Sequence, residues 1–304
     1  MNDLIAKKKL LVTGASGFLG WNICRVARKS YDVIGISNSR PLILEDVRDV
    51  KVDITRYDDL RGLFSRVKPD GVIHAAAIAA PNVCQEHPAE SGKVNIDASV
   101  SIAGLCSDIG IPCAFISTDL VFDGTAAPYD EMRPVSPISV YGEQKVKAET
   151  DMRARHDDLR ICRMPLVYGD AIAPAQSFIQ PFIRAMFEGK ELTLFNDEFR
   201  TPVSATSAAQ GILCVLGQAP CTLHLGGRES ISRYDFGVKM AQALNIPDVK
   251  LKPVRQKDTV SIAPRPLNVS LDSSKAYGLG YDPGSITDEL NKLECIKRAR
   301  NHGC

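Results

Sequence analysis

Tyr141 and Lys145 stand four residues apart in Tyr141-Gly142-Glu143-Gln144-Lys145. On a helix that spacing puts both side chains on one face, within reach of a common ligand. A phenol with an ordinary pKa near ~10 is a poor acid at neutral pH. An adjacent ammonium would stabilise the phenolate and match the group to proton transfer. In isolation the pair would read as a solvated helix with a tyrosine near its start. Order along the chain favours chemistry: a glycine-rich turn comes first, then Ser117-Thr118 after an apolar run, then the Tyr/Lys pair. A hydroxyl at the C-terminal end of a parallel strand points into the crevice where open α/β sheets hold ligands.

The glycine-rich turn is Thr13-Gly14-Ala15-Ser16-Gly17-Phe18-Leu19-Gly20, between the apolar run Leu10-Leu11-Val12 and an amphipathic stretch. A pyrophosphate approaches backbone closely only where no side chain intervenes, and the following helix offers free N–H groups and the positive end of its dipole. Gly14 suits the tight turn, Gly17 the close approach and Gly20 the packing of helix on strand. A glycine-rich strand–turn–helix with no ligand has the same pattern, but its place at the first strand points to a dinucleotide. At the end of the second strand an NAD site usually shows Asp or Glu. This chain has Ser37-Asn38-Ser39-Arg40 instead. Hydroxyls, an amide and a guanidinium suit a ribose 2′-phosphate, so NADP(H) is expected over NAD(H). A polar surface turn before Pro41 is the competing reading.

These groups need a scaffold, and the first half of the chain has a βαβ rhythm. Strands are predicted at 9–13, 32–37, 71–75, 112–117 and 159–164, with helices at 19–29, 57–67, 89–109 and 141–154. Runs such as Ala114-Phe115-Ile116, apolar throughout, fit a parallel sheet covered on both faces. The expected fold is α/β: a Rossmann-type doubly wound parallel sheet with a smaller C-terminal α/β substrate lobe. Residues 1–168, with about 222–232, should form the NADP(H)-binding domain, and 169–221 with 233–304 the substrate lobe. In that second half Pro174, Pro181, Pro202 and Pro220 loosen the rhythm. Helices are predicted at 177–188, 207–217 and 233–244, and one further short sheet strand at 223–225.

The 304 residues carry 37 Lys+Arg against 36 Asp+Glu, a formal net charge of +1. That balance excludes a nucleic-acid binder relying on a global basic field, although not a local groove. Nine cysteines, an odd number with no C-x-x-C, read as reduced thiols rather than a disulfide framework or zinc site. No H-x-x-x-H spacing accompanies His74 or His224, so no metal site is expected. His87, His156 and His302 read as surface, and Trp21 as a packing residue. No apolar stretch reaches the roughly 20 residues that span a bilayer and no signal peptide is visible, so a soluble, cytoplasmic protein is expected.

The glycine turn, His74-Ala75-Ala76-Ala77, Ser117-Thr118-Asp119 and Tyr141-x-x-x-Lys145 together resemble the extended short-chain dehydrogenase/reductase superfamily. Ile116 to Gly124, Asn196 to Pro202 and Arg265-Pro266-Leu267-Asn268 resemble, more narrowly, the dTDP-4-dehydrorhamnose reductase family. The resemblance implies reduction of a nucleotide-linked 4-keto-6-deoxy sugar. Tyr141 would protonate the developing alkoxide, Lys145 would hold the nicotinamide ribose and lower the Tyr141 pKa, and Thr118 would hydrogen-bond the substrate carbonyl. Gly14, Gly17 and Gly20 would cradle the pyrophosphate, and Ser16, Phe18 and Leu19 would belong to the same cofactor set. Asn38, Ser39 and Arg40 would meet the 2′-phosphate, and Asp53 and Ile54 the adenine. Ala75, Ala76, Ala77 and Met164 would complete the cofactor set. Asp119, Arg200 and Arg265 would bind substrate, the arginines through its phosphates or, equally, as surface ion pairs. Family habit implies a homodimer.

One departure is Arg163-Met164-Pro165-Leu166 before Val167-Tyr168-Gly169, where many extended members carry Asn; the bulk and proline could reshape the pocket. Two rivals share the scaffold. One is a sugar-nucleotide epimerase or dehydratase that uses the dinucleotide transiently. Asp119 stands where the dehydratase branch usually has Glu. The other is the non-catalytic regulatory subunit of a methionine adenosyltransferase.

Overall fold

The computed structural model describes residues 6–172 and 175–302, with the side chain of His302 left out. Pro174, Cys304 and the His302 side chain, and with them three of the sequence expectations, lie outside the described residues.

The main sheet has seven strands, all parallel, in the order β11-β6-β5-β4-β1-β2-β3. In chain order the first half runs β1 (Lys9–Thr13), α1 (Phe18–Ala27), β2 (Asp32–Ser37), β3 (Val47–Lys51), α2 (Tyr57–Val67) and β4 (Gly71–His74). Then come α3 (Pro81–Glu86), α4 (Pro88–Gly92), a π-helical turn (Lys93–Asp97), α5 (Ala98–Ile109), β5 (Cys113–Thr118), a 3-10 turn (Asp119–Val121), α6 (Val140–Arg155) and β6 (Leu159–Met164). β1 and β4 are neighbours, and the chain leaves them in opposite directions across the sheet. That is the topological switch point, and in such sheets it opens a crevice at the carboxyl ends of the strands.

Alternation along the strands divides the core in two. Leu10, Val12, Val33, Ile73, Ala114 and Cys162 face one way, against Ile23 and Ala27 of α1. Leu11, Ile34, Val72, Phe115 and Ile161 face the other, against Leu60 and Leu63 of α2, Ile102 of α5 and Met152 of α6. A sheet buried on both faces needs strands without polar alternation, which is what β1, β4 and β5 supply. The doubly wound α/β fold is thus present. β3 escapes the sequence reading because Val-Arg-Asp-Val-Lys is charged and half-exposed, as edge strands commonly are.

The second half contributes β7 (Val167–Tyr168), α7 (Ile179–Phe187), β8 (Leu192–Phe195), β9 (Phe199–Arg200), β10 (Val203–Ser204), α8 (Ala205–Leu216), β11 (Cys221–His224), β12 (Ile231–Ser232), α9 (Arg233–Leu244) and β13 (Leu251–Val254). It ends with α10 (Ser274–Gly278), α11 (Ile286–Lys292) and α12 (Glu294–His302). Ile179, Ile183, Phe236, Met240, Leu290 and Ile296 form a separate core for α7, α9, α11 and α12. Two elements of this half pack against the core of the main sheet. α8 packs on α1, with Ala208, Ile212 and Val215 in the first sheet core, and Ala276 of α10 joins it there. The face of the sheet beside α1 must be covered, and α8 has the apolar surface to do so. Residues 205–216 thus cover the sheet face beside α1.

Among the described residues no helix is long and apolar enough to cross a membrane.

Candidate active site

Two crevices lie along the segment that follows β4. The first, about 220 Å³, is lined by Gly14, Ser16 and Gly17 of the glycine turn, Ser37, Asn38 and Ser39 after β2, Asp53 and Ile54 after β3, and Ala75, Ala76 and Ala77 after β4. Gly14 has φ +67, and a Cβ there would stand 2.7 Å from the Ala76 Cα. The backbones of the two turns touch, and only glycine permits it. A Cβ on Gly20 would meet the Gly14 carbonyl oxygen at 2.1 Å, so helix and turn are pressed together. α1 begins with no side-chain cap and no acidic residue in its first turn. Its first N–H groups and positive dipole end are therefore available at the crevice, as an anionic ligand requires. The donor set fits a dinucleotide.

The expected cofactor residues Phe18, Leu19, Arg40, Tyr141, Lys145 and Met164 do not line this crevice. Met164 is buried in the first sheet core, and Leu19 packs against the same core. Phe18 is half-buried at the start of α1 and reaches toward Gly169. Arg40 is exposed beyond Ser39 and is neither ion-paired nor hydrogen-bonded among the described residues.

Beneath the crevice, His74 bridges β1 to α5. Its Nδ1 lies 2.6 Å from Thr13 Oγ1 and its Nε2 2.9 Å from Ser99 Oγ. Full burial and the nearby Lys145 charge lower its pKa to about 3, so the ring is neutral. Thr13 Oγ1 also accepts the Ala76 N–H at 3.1 Å, which fixes the alanine turn. The helix predicted over 89–109 is interrupted by the π-helical turn at Lys93–Asp97. That bulge carries Asn95 inward, where its Oδ1 accepts the Ile78 N–H and its Nδ2 donates to the Ile78 carbonyl and to Gln144 Oε1. Single-turn π-bulges often mark functional sites. An asparagine inside an otherwise regular helix was the one available signal.

The second crevice, about 340 Å³, lies between the end of β5 and the second lobe, and Ala79 and Pro81 connect its wall to the first. Thr118, Asp119 and Tyr141 line it with Arg200 and Arg265, so the expected catalytic hydroxyls and substrate residues meet there. Two further members, Glu198 and Arg233, were not anticipated. Ser139 caps α6 by accepting the Gly142 N–H at 3.2 Å, which sets Tyr141 in the first turn. Thr118 caps the 3-10 turn, accepting the Leu120 N–H at 3.2 Å and donating to Asp119 Oδ1 at 3.1 Å.

Electrostatics correct one expectation. Lys145 was expected to lower the Tyr141 pKa, but burial chiefly, with the Asp119 charge and the Cys84 thiol, raises it, and the hydrogen bond with Thr118 only partly offsets this. Lys145 is itself buried, its ammonium 4.0 Å from the centre of the Phe115 ring. Burial lowers its pKa to about 7 while Glu149 and Cys84 oppose the shift. Glu149, one turn beyond Lys145, is held by Arg163 through Nη2–Oε2 at 2.8 Å and Nε–Oε1 at 3.1 Å, and accepts from Ser117 Oγ at 2.5 Å. Asp119 is raised to about 6 because its burial outweighs the attraction of Arg200.

The two arginines expected to bind substrate behave differently. Arg200 donates to the carbonyls of Phe199, Pro266 and Leu267 and lies 3.6 Å from Asp119 and 3.7 Å from Glu198. Arg265 is exposed and, among the described residues, bonds only to Ser261 Oγ, at 3.2 Å. His156, expected at the surface, is buried and pairs with the Ile111 carbonyl at 3.0 Å. His74 and His224 are also buried, and among the described residues no group of three or more His, Cys, Asp or Glu gathers into a metal site.

A parallel switch-point crevice with an uncapped helix N-terminus, next to a buried threonine and tyrosine, is the architecture of the extended short-chain dehydrogenase/reductase superfamily. The chain belongs to the family of the RmlD substrate binding domain, whose model matches residues 8–293. A probable low-salt glycan biosynthesis reductase of Haloferax volcanii, Agl14, is 30% identical over 93% of this chain and 96% of its own. The beta subunit of methionine adenosyltransferase 2 from Xenopus laevis is 28% identical over 91% of this chain and 84% of its own. Among solved structures, dTDP-4-dehydrorhamnose reductase of Bacillus anthracis in complex with NADP superposes with a TM-score of 0.84, at 22% identity, covering 94% of this chain and 98% of that one. A UDP-glucose 4-epimerase and a dTDP-glucose 4,6-dehydratase share the same fold.

Proposed function

We propose that the protein is an NAD(P)H-dependent reductase of a nucleotide-linked 4-keto-6-deoxy sugar, with NADP(H) preferred. The observation that carries this reading is the junction of the two crevices, where Thr118 and Tyr141 face a cavity walled by second-lobe arginines and adjoining a dinucleotide-shaped groove. Bound nicotinamide would supply the hydride. Tyr141, on the first turn of α6, would give its phenolic proton to the alkoxide oxygen. Thr118 would turn its hydroxyl from Asp119 to that same oxygen and hold the carbonyl in place. Lys145, with a pKa of about 7 and Glu149 behind it, would hold the nicotinamide ribose. Ser39, Asn38 and the exposed Arg40 are the groups available to a 2′-phosphate, since no carboxylate follows β2 directly. The Bacillus anthracis neighbour with NADP supports the same preference. The reading places the enzyme in the cytoplasm as a homodimer.

The test is oxidation of NADPH and NADH, followed at 340 nm, across a panel of dTDP-, UDP- and GDP-linked 4-keto sugars. Oxidation with at least one 4-keto sugar, faster with NADPH, is the expected result, and none across the panel would sink the reading. Turnover without net NADPH loss would favour an epimerase.

One observation favours a second reading, a regulatory subunit of a methionine adenosyltransferase: several of the curated relatives are beta subunits of that enzyme. Co-purification with a methionine adenosyltransferase, combined with silence across the sugar panel, would establish it.

A further inference from the structure

A groove of about 650 Å³, larger than either crevice of the candidate active site, lies between α2 and α5. Asp70 and Ile111, which precede β4 and β5, place it at the amino ends of those strands, away from Thr118 and Tyr141. Residues 57, 61, 64 and 68 supply one wall and 105, 108 and 109 the other, each set at helical spacing on one face. The floor is apolar, with Phe64, Pro69 and Leu105 all buried. Tyr57 and Ile109 flank it and are 47% and 49% exposed, more than large apolar side chains of a closed core would be.

The charges at the rim are not balanced. Asp70 Oδ2 already accepts the Lys9 backbone N–H at 2.7 Å, and Asp108 Oδ1 is paired with Arg155 Nη2 at 2.9 Å. Arg61 and Lys68 are exposed, and among the described residues neither makes an ion pair or a side-chain hydrogen bond. Lys68 also follows α2 with φ +50, a conformation that glycine or asparagine adopts at lower cost. Two committed carboxylates and two open cations therefore frame an apolar floor.

We propose that this groove is a binding site for a small organic anion, an apolar body carrying one carboxylate or sulfonate. The body would cover Phe64, Leu105 and Ile109, and the anionic head would meet Arg61 and Lys68. The volume lies within the roughly 300–1,000 Å³ of small-molecule sites, whose walls are mostly apolar with a few polar groups that orient the ligand. A bare phosphate would leave the floor uncovered, and a neutral body would leave the two cations unanswered. The groove shares no lining residue with either crevice, so the site does not depend on the reductase reading.

The test uses the full chain and the dye 1-anilinonaphthalene-8-sulfonate, titrated by calorimetry with and without excess NADP⁺ so that dye held in the dinucleotide crevice is told apart. Naphthalene-2-carboxylate, its neutral carboxamide and inorganic phosphate then compete for the dye. The variants are Arg61→Gln/Lys68→Gln and Ile109→Glu, all at exposed positions, so their melting temperatures should stay near wild type. One dye per chain should bind with NADP⁺ present, and the carboxylate should displace it at least about fivefold better than the carboxamide. The double variant should weaken the dye about fivefold, Ile109→Glu should weaken it more, and phosphate should not compete. The proposal is overturned if the wild type binds no dye beside NADP⁺, if both variants bind it within twofold of wild type, or if carboxamide or phosphate competes as well as the carboxylate. It is equally overturned if Ile109→Glu dissociates a dimer of the wild type that takes up no dye, because the groove would then be an interface between two copies of the chain.

Discussion

Arg200 Nε stands 3.6 Å from Asp119 Oδ2, with both side chains less than a tenth exposed. The pair joins the end of β5 to the second lobe, directly beside Thr118 and Tyr141. Its geometry is loose, and Asp119 Oδ2 has no hydrogen bond. The carboxyl is consequently dominated by desolvation and sits near 6.

A raised carboxyl pKa means that the folded state binds the proton more tightly than the unfolded chain. Stability from this group is then greatest at low pH and is lost as pH rises from about 4 to about 6. His74 and His224, both held neutral by burial, act in the opposite sense over part of that range. The comparison of wild type with Asp119→Asn isolates the carboxyl. Urea midpoints measured from pH 4 to 7 should show the variant gaining on wild type as pH rises; parallel curves would refute the assignment.

Tyr141→Phe removes only the phenolic oxygen from a site otherwise defined by backbone and packing. Turnover should fall by about 10²–10⁴, the usual worth of a positioned proton donor. Cofactor affinity and the melting temperature should stay near wild type. A variant that retains most of its kcat on a keto sugar would move the acid to another group.

Glu149 and Arg163 form a two-pronged pair with both side chains under a tenth exposed. Glu149→Gln leaves a buried guanidinium uncompensated and should cost about 3–5 kcal/mol of stability. It also removes the charge that holds the Lys145 pKa up, so that pKa should drop further. The double variant Glu149→Gln/Arg163→Met should cost less than the sum of its parts in urea unfolding; strict additivity would show that the pair is not coupled.

Arg40 lies outside the groove yet is the nearest guanidinium in sequence to Asn38 and Ser39. If it folds over a 2′-phosphate, Arg40→Ala should raise the KM for NADPH about tenfold through loss of a charge-assisted bond and leave the KM for NADH unchanged. Equal effects on both cofactors, or none, would remove it from the site.

Much of this site can be read without coordinates. The glycine turn, the Tyr141/Lys145 spacing and the bounds of β1, β2, β6, α2 and α9 are local properties of the chain, set by backbone freedom and apolar periodicity. Gly14 takes a positive φ because of what it is, and Tyr141 and Lys145 share a helix face because they are four apart. The exceptions have local causes too: β3 hides behind edge charges, and a π-bulge adds one residue to a turn that periodicity treats as regular.

Pairing is different. Whether Arg200 or Arg233 is spent on protein groups depends on Asp119, Glu198 and the carbonyls of 266 and 267, which come together only when the second lobe closes on β5. Lys145 becomes a near-neutral group only because Phe115 and the sheet exclude water around it. Residue types and spacings determined which chemistry this chain carries. The tertiary structure decided which of its charges remain free to act, because desolvation and ion pairing arise between segments distant in sequence.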